Sequence, residues 1–165
     1  MSDLANLESR LHRLEDESAI QRLVMSYGPA ADARMASFAG NLWLEDGEYD
    51  WDANGEPHRG TAGVTAMLRS DGHIGLTAEG VAHFGGPLLI ELDGDRATAV
   101  NYSLIMRREN SRFYLWRVSA VRWDLERGAS GWRVRRRSNR LLDETGVGRE
   151  LFGSTLQELY QEDAK

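Results

Sequence analysis

A histidine and an aspartate, two residues of the types that transfer protons in enzymes, stand out because they lie in apolar surroundings. His83 stands in GVAHFGGPLLIEL, at the start of an apolar, strand-like segment that would partly enclose its ring. An imidazole enclosed beside a carboxylate can serve as a general base near neutral pH. We pair it with Asp32, which lies among small and mostly apolar residues in GPAADARMA. Asp32 also fits the N-cap of a helix, because it follows a helix-breaking pair. The residues alone leave both interpretations open.

The residues for most other catalytic chemistries are missing. The sequence contains no cysteine, which excludes disulfides, thiol nucleophiles and cysteine-ligated metals. It contains no zinc-binding histidine motif, serine elbow or phosphate-binding glycine loop, and Asp50 and Asp52 alone make a poor metal site. His12 lies in a charged helical segment, whereas His58 and His73 lie in glycine-containing, loop-like segments. We therefore expect chemistry without a metal or a cofactor.

Periodicity in the first third of the chain predicts the helices that would position Asp32. Leucines recur at positions 4, 7, 11 and 14, and the apolar face continues to Tyr27. The pair Gly28-Pro29 predicts a break, because proline lacks an amide hydrogen and disfavours helix in the residue before it. A second helix is predicted over about residues 31–42.

After residue 42 the period changes to that of strands, which would position His83. We predict a short strand over 48–51 that pairs with 58–61 across Asn54-Gly55, and a helix over 62–69. Strands follow over 81–92, 97–107, 113–126 and 132–142, and their short polar links make neighbours antiparallel. Residues 150–160 would form a closing helix or lie on another subunit. This order predicts an α+β fold, in which N-terminal helices cover a cone-shaped, curved antiparallel sheet above a pocket.

Length and charge limit the class of protein. The 165 residues fit one domain, with its core over about 15–142 and a tail over 143–165. No apolar run is long enough for a membrane span, and the charged N-terminus has no apolar signal region, so we expect a cytoplasmic protein. Residues 107–140 hold eleven arginines against three acidic residues, but these arginines mostly alternate with apolar residues. That pattern favours a strand with one wet face over a nucleic-acid stripe. We expect neither a nucleic-acid nor a membrane partner.

Four segments resemble the SnoaL-like branch of the nuclear transport factor-like superfamily. They are AIQRLVMSYGPAADAR, FAGNLWLEDGEYDWD, VAHFGGPLLIELDGDRATAVNYSL and GASGWRVRRRSNRLL. The resemblance implies a cystatin-like roll, which is the same α+β cone. Within the branch the pattern is most similar to scytalone dehydratase, hexachlorocyclohexane dehydrochlorinase and bile-acid 7α-dehydratase. These enzymes carry an aspartate after the first helix and a histidine at the start of the long mid-chain strand, and the matching residues here are Asp32 and His83.

The resemblance also implies an aromatic lining with a tyrosine near the aspartate. The matching positions are Tyr27, Tyr49 and Trp51, to which we add Phe84 beside the histidine. An arginine on the last strand corresponds to Arg137 or Arg140. Scytalone dehydratase has a second histidine further along the sheet, and this sequence has no histidine after residue 83. Polar strand residues that could take its hydrogen-bonding role in substrate binding are Asn101, Ser103 and Asn139.

These residues predict a cofactor-free, dehydratase-like lyase. His83 would take a proton from a carbon next to an activating group, and a hydroxyl or halide would leave the β-carbon. Asp32 would orient the imidazole, and Tyr27 or Tyr49 would donate a hydrogen bond to the developing oxyanion. The aromatic residues predict a hydrophobic cyclic substrate of aromatic, polyketide or steroid-like type.

Besides another hydrolytic use of the same cone, two alternatives stay open from the sequence. One is an isomerase of the ketosteroid-isomerase or polyketide-cyclase kind, which uses the same proton abstraction without a leaving group. The other is a non-catalytic ligand-binding or structural subunit, such as the small subunit of a ring-hydroxylating dioxygenase. In every case the amphipathic start of the chain predicts a homo-oligomer, and the resemblance to the dehydratases implies a trimer rather than a dimer.

Overall fold

The chain folds into helices followed by a curved, open sheet, in a computed structural model that describes residues 3–51 and 55–161. The helices are α1 (Asp3–Asp32), α2 (Ala36–Gly40), α3 (Gly60–Leu68), α4 (Asp71–Glu79) and α5 (Val147–Gln161). The strands are β1 (Trp43–Trp51), β2 (His58–Arg59), β3 (Val81–Gly85), β4 (Leu89–Asp93), β5 (Arg96–Glu109), β6 (Arg112–Gly128) and β7 (Gly131–Leu141). The predicted α+β class is confirmed.

The strands form one sheet in the order β2-β1-β7-β6-β5-β3, and β4 also pairs with β5. Pairing is antiparallel throughout the meander, as the short links predict. The exception is β1, which lies parallel to β7. These two strands are distant in sequence, so no hairpin turn fixes their relative direction. The β5–β6 hairpin turns through Asn110 and Ser111, both at positive φ, which suits the right-handed twist of long strands.

Helix α1 is longer than the sequence predicts. It continues through Gly28-Pro29 to Asp32, and the predicted second helix over 31–42 is reduced to the five residues of α2. Proline in the last turn removes a single helical hydrogen bond. The buried face that includes Ile20 and Tyr27 packs on the sheet, and this packing offsets the loss.

Three further boundaries differ from prediction. The strand predicted over 81–92 is divided into β3 and β4, which both pair with β5 on either side of Gly86. Residues 71–79, predicted as loop, form α4, whose N-cap Ser70 accepts a hydrogen bond from the His73 backbone N–H at 3.3 Å. Strand β1 begins at Trp43 rather than at residue 48, and it pairs with β2 as predicted. Asn54 of the predicted turn lies outside the described residues.

Different helices cover the two faces of the sheet. Helices α1 to α3 cover one face, which we call the pocket face, and the buried apolar core lies between them. Helix α5 covers the opposite face, where Tyr102 meets Phe152 with ring centroids 4.8 Å apart and Arg122 pairs with Glu158 at 2.5 Å. The C-terminal segment is therefore the closing helix that was one of its two predicted forms. No described helix is long and apolar enough to cross a membrane.

Candidate active site

The end of α1 and the middle of β3 bring Asp32 and His83 together. Asp32 Oδ1 lies 2.5 Å from His83 Nδ1, and Asp32 Oδ2 accepts the His83 backbone N–H at 2.9 Å. The two side chains are 25% and 14% exposed, so the pair is largely enclosed. Asp32 is the last residue of α1, and the N-cap position of α2 is Met35, which makes no side-chain cap. The alternative role of Asp32 as an N-cap is therefore not the one it has.

Gly28 allows α1 to approach β3 closely enough for this contact. A Cβ atom at position 28 would lie 2.3 Å from the His83 carbonyl oxygen, far inside van der Waals contact. The glycine that the sequence presents as a helix breaker is instead the point where the helix backbone rests against the strand. One turn later the same helix presents Asp32 to the histidine.

His83 lines a cavity of about 110 Å³ between α1 and the pocket face. Because Nδ1 faces Asp32, Nε2 is the nitrogen left for a ligand. Among the predicted site residues, those that line this cavity are Tyr27, His83, Phe84, Asn101, Ser103 and Arg137. Phe84 is 51% exposed, whereas Ser103 is buried.

Arg137 is buried inside a box of aromatic rings. Its guanidinium carbon lies 4.4, 4.5 and 4.6 Å from the ring centroids of Tyr27, Tyr49 and Trp123, and the residue is 4% exposed. Within the described parts of the chain, Nε and Nη1 are buried and have no hydrogen-bond partner. Burying a charge is costly unless it is paired. A guanidinium held in this way, at the wall of a cavity, is suited to bind an oxygen of a ligand.

Tyr27 is kept as a neutral phenol. Burial and the neighbouring Tyr49 raise the pKa of Tyr27 well above its usual range, although Arg137 acts in the opposite direction. A phenol that stays protonated can donate a hydrogen bond to a developing oxyanion. Tyr49 packs edge-on against Tyr27, with ring centroids 5.9 Å apart, and it also contacts the Arg137 guanidinium. Tyr49 does not belong to the lining of the described cavity.

Asn101 reaches the cavity, but its amide is engaged in the fold. It donates to the Gly86 carbonyl at 3.0 Å and accepts the Trp123 indole N–H at 3.1 Å. Two other predicted residues lie outside the lining of the described cavity. Trp51 is 46% exposed beneath the Arg117 guanidinium, and Asn139 is buried with its Oδ1 unpartnered among the described residues.

The two candidate arginines of the last strand have different surroundings. Arg140 pairs with Asp50 at 2.7 Å, and Arg136 reaches the same carboxylate at 3.0 Å. Although burial acts to raise it, these hydrogen bonds lower the pKa of Asp50. Arg140 is thus committed to an ion pair, whereas Arg137 lines the cavity. No group of three or more histidine, aspartate and glutamate residues within 3–51 and 55–161 could hold a metal ion.

Two residues near the site were missed by the sequence analysis. Ser119 is 1% exposed, lies opposite Ser103 on the neighbouring strand, and has a buried Oγ that is unpartnered within the described ranges. Register between β5 and β6 could have found it. His73 stacks on His83 with ring centroids 5.9 Å apart. No periodic signal marks it, because its helix is short and buries no residue fully.

A curved sheet with helices on one face and a pocket between them defines the nuclear transport factor-like, cystatin-like class of fold. A family model described as a SnoaL-like domain matches residues 12–138, which is most of the chain. The protein therefore belongs to the SnoaL-like domain family. No curated protein sequence matches the chain significantly.

Solved structures share this fold. An NTF2-like protein with a cystatin-like fold from Novosphingobium aromaticivorans is 42% identical, with a TM-score of 0.88 over 92% of this chain and 97% of that one. A protein from the same organism, provisionally named a scytalone dehydratase, is 18% identical, with a TM-score of 0.68 over 79% and 87% of the two chains. ActVI-ORFA from Streptomyces coelicolor is 21% identical, with a TM-score of 0.65 over 76% and 97%. The last two are similar in fold alone.

Proposed function

We propose that this protein is a cofactor-free lyase in which the Asp32–His83 pair removes a proton from carbon. The observation that carries the proposal is the double contact of one carboxylate with the ring and the backbone of a single histidine at the wall of a cavity. Asp32 holds the proton on Nδ1, which leaves Nε2 free to accept one from a ligand. A purely structural subunit has no need of a histidine that is oriented in this way at the wall of a cavity.

The reaction that fits these groups is the loss of water from a β-hydroxy carbonyl compound. His83 Nε2 takes the proton on the α-carbon, and the electron pair moves onto the carbonyl oxygen as an enolate. Arg137 and the neutral Tyr27 phenol stabilise that oxygen with their N–H and O–H donors. The enolate then re-forms the carbonyl as the α,β double bond appears. The β-hydroxyl leaves with the proton held by His83, so one water molecule is released and the imidazole returns to its starting state.

The lining of the cavity selects the substrate class. Aromatic walls and a single buried cation suit a flat, hydrophobic ring that carries one oxygen acceptor. The volume of about 110 Å³ is smaller than that of typical ligand pockets, which hold roughly 300–1,000 Å³. We propose that this cavity holds the reacting ring, and that any further rings of a polyketide or steroid-like substrate extend past the exposed Phe84.

The experiment is a screen of cyclic β-hydroxy ketones, run in D₂O and followed by mass spectrometry. An elimination gives a product that has lost one water. An isomerase gives a product of the substrate's mass with deuterium at the site of reprotonation, so the same spectrum separates the two reactions. A protein that binds these rings without either change in mass would be a carrier, and the lyase proposal would fail.

We also propose that the protein forms a homo-oligomer, with a trimer favoured over a dimer. The leucine stripe, defined as Leu4, Leu7, Leu11 and Leu14, supports this proposal because each of its side chains is more than half exposed. Four leucines on one helix face leave more apolar surface in contact with water than scattered surface residues do.

A further inference from the structure

The ring of His73 lies nearly parallel to that of His83 on α4, outside the lining of the described cavity. The ring centroids are 5.9 Å apart and the ring planes differ by 25°. His83 therefore has Asp32 at Nδ1, the cavity on one side, and a second imidazole stacked against it. Offset stacking of this kind restricts how far a ring can rotate.

His73 meets His83 through the flat face of its ring. Both of its ring nitrogens are buried and make no hydrogen bond of good geometry among the described residues, although the Leu68 backbone carbonyl acts on the ring as an acceptor. Burial lowers the pKa of His73, and the neighbouring His83 lowers it further, while the Leu68 carbonyl and Asp32 act in the opposite direction. The imidazole is therefore uncharged near neutral pH and presents a flat ring face to His83.

Helix α4, which carries His73, is bound to the rest of the fold by side-chain contacts in its middle and at its end. Arg34, just after Asp32, donates to Thr77 Oγ1 at 2.8 Å and to the Ile74 carbonyl at 3.3 Å. At the other end of α4, Glu79 pairs with Arg107 at 2.9 Å. Since α4 buries no residue fully, these contacts do not serve the main core. They fix the helix that carries His73 at two points along its length.

We propose that His73 is a positioning residue for the Asp32–His83 pair, which it serves by stacking on the His83 ring, holding its rotation and keeping water off the Nδ1–Asp32 hydrogen bond. The catalytic benefit of this role rests on the proposed function. The stacking of His73 on His83 can be tested without any turnover. His73 touches no substrate in this role and exchanges no proton.

The test is the ¹H and ¹⁵N NMR signal of the His83 Nδ1–H proton in the whole protein at neutral pH, with no ligand needed. A ring proton held against a carboxylate at 2.5 Å gives a far-downfield resonance, provided that exchange with water is slow. We expect this signal in the wild type, its loss in His73→Ala, and its retention in His73→Phe, which keeps the flat ring and removes both nitrogens. Ile74→Ala is the matched control, because it removes a 43% exposed side chain from the same helix.

Each result of this experiment either supports or overturns the positioning role of His73. A signal retained in His73→Ala would overturn the proposal, as would a signal lost in both His73→Ala and His73→Phe. If Ile74→Ala also lost the signal, the cause would be the integrity of α4 and not the stack. Once a substrate is known, His73→Ala should lower kcat about 10-fold with little change in KM, and His73→Phe should restore it. An absence of lyase activity would leave the NMR result standing, so the two proposals fail separately.

Discussion

At the residue scale, the carboxylate of Asp32 holds both the backbone and the ring of His83, and Arg137 supplies the one buried cation of the described cavity lining. The two groups have opposite environments. The histidine has a carboxylate at both its ring and its backbone N–H, whereas the arginine has donors that the described part of the chain leaves unused.

The orienting role of Asp32 predicts a loss of rate with little loss of stability. In Asp32→Asn the amide oxygen can accept from only one of the two His83 donors, so the imidazole is no longer fixed with its proton on Nδ1. We expect the rate to fall by about 10²–10⁴-fold. Thermal unfolding should be compared with that of Asp16→Asn, which removes a carboxylate that binds Arg127 and Trp132 outside the cavity. A change in stability alone would refute the orienting role.

The burial of the Arg137 charge predicts that its removal lowers the rate without lowering the stability of the protein. In Arg137→Met the buried guanidinium is replaced by an apolar chain of similar length, so we expect an unchanged or higher unfolding temperature and at least a 100-fold lower rate. The control is Arg140→Met, which leaves Asp50 without its closest partner and should lower the unfolding temperature. Calorimetry of both variants, beside their rates, makes the comparison. A marked loss of stability in Arg137→Met with normal turnover would make Arg137 structural.

At the element scale, the approach of α1 to β3 predicts that Gly28→Ala is harmful. Alanine normally stabilises a helix by about 1 kcal/mol relative to glycine. At position 28 its Cβ would lie 2.3 Å from the His83 carbonyl oxygen, so helix and strand must separate and the Asp32–His83 distance must grow. We expect lower stability and about a 100-fold lower rate. Gly153→Ala, in α5 with open space around it, should stabilise instead, and equal effects from both variants would contradict this reading.

The packing of α4 predicts a pH dependence of stability. The folded protein lowers the pKa of His73, so the unfolded chain binds this proton more tightly. Stability should therefore fall as the pH drops below about 6.5, the usual pKa of an exposed histidine. The groups that face His73 are His83, Asp32 and Arg34, and they are unchanged in His73→Phe. Unfolding temperatures measured between pH 7.5 and 5.5 should fall less in that variant, and an identical fall would contradict the prediction.

Elements that depend on local periodicity are the ones that the sequence predicts well. The long strands β5, β6 and β7 alternate with period two, and both their turns and their pairing follow from the short polar links. The helix end predicted at Pro29 is wrong because the packing of the whole α1 face outweighs one missing hydrogen bond. Helix α4 has no such signal, since none of its residues is fully buried. The residues of the Asp32–His83 pair can be listed from the sequence, but their contact depends on Gly28, whose role is tertiary.

At the scale of the whole molecule, the leucine stripe at the start of α1 predicts a change of assembly. We expect the double variant Leu7→Glu, Leu11→Glu to reduce the molar mass in solution, because two charges would enter an apolar contact between copies of the chain. Light scattering after size-exclusion chromatography measures this mass. Ser9→Glu, an exposed site on the same helix, should leave the mass unchanged. A wild-type monomer, or a double variant of wild-type mass, would remove the stripe from the interface.

If the Asp32–His83 pair takes a proton from carbon, exchange of that proton with solvent reports the step itself. A cyclic ketone that matches the substrate ring but lacks the β-leaving group should exchange its α-hydrogen for deuterium in D₂O when the wild-type protein is present. The rate of exchange should fall to that of buffer alone in His83→Ala, whose circular dichroism should remain that of the folded protein. Exchange at the wild-type rate in His83→Ala would contradict the claim.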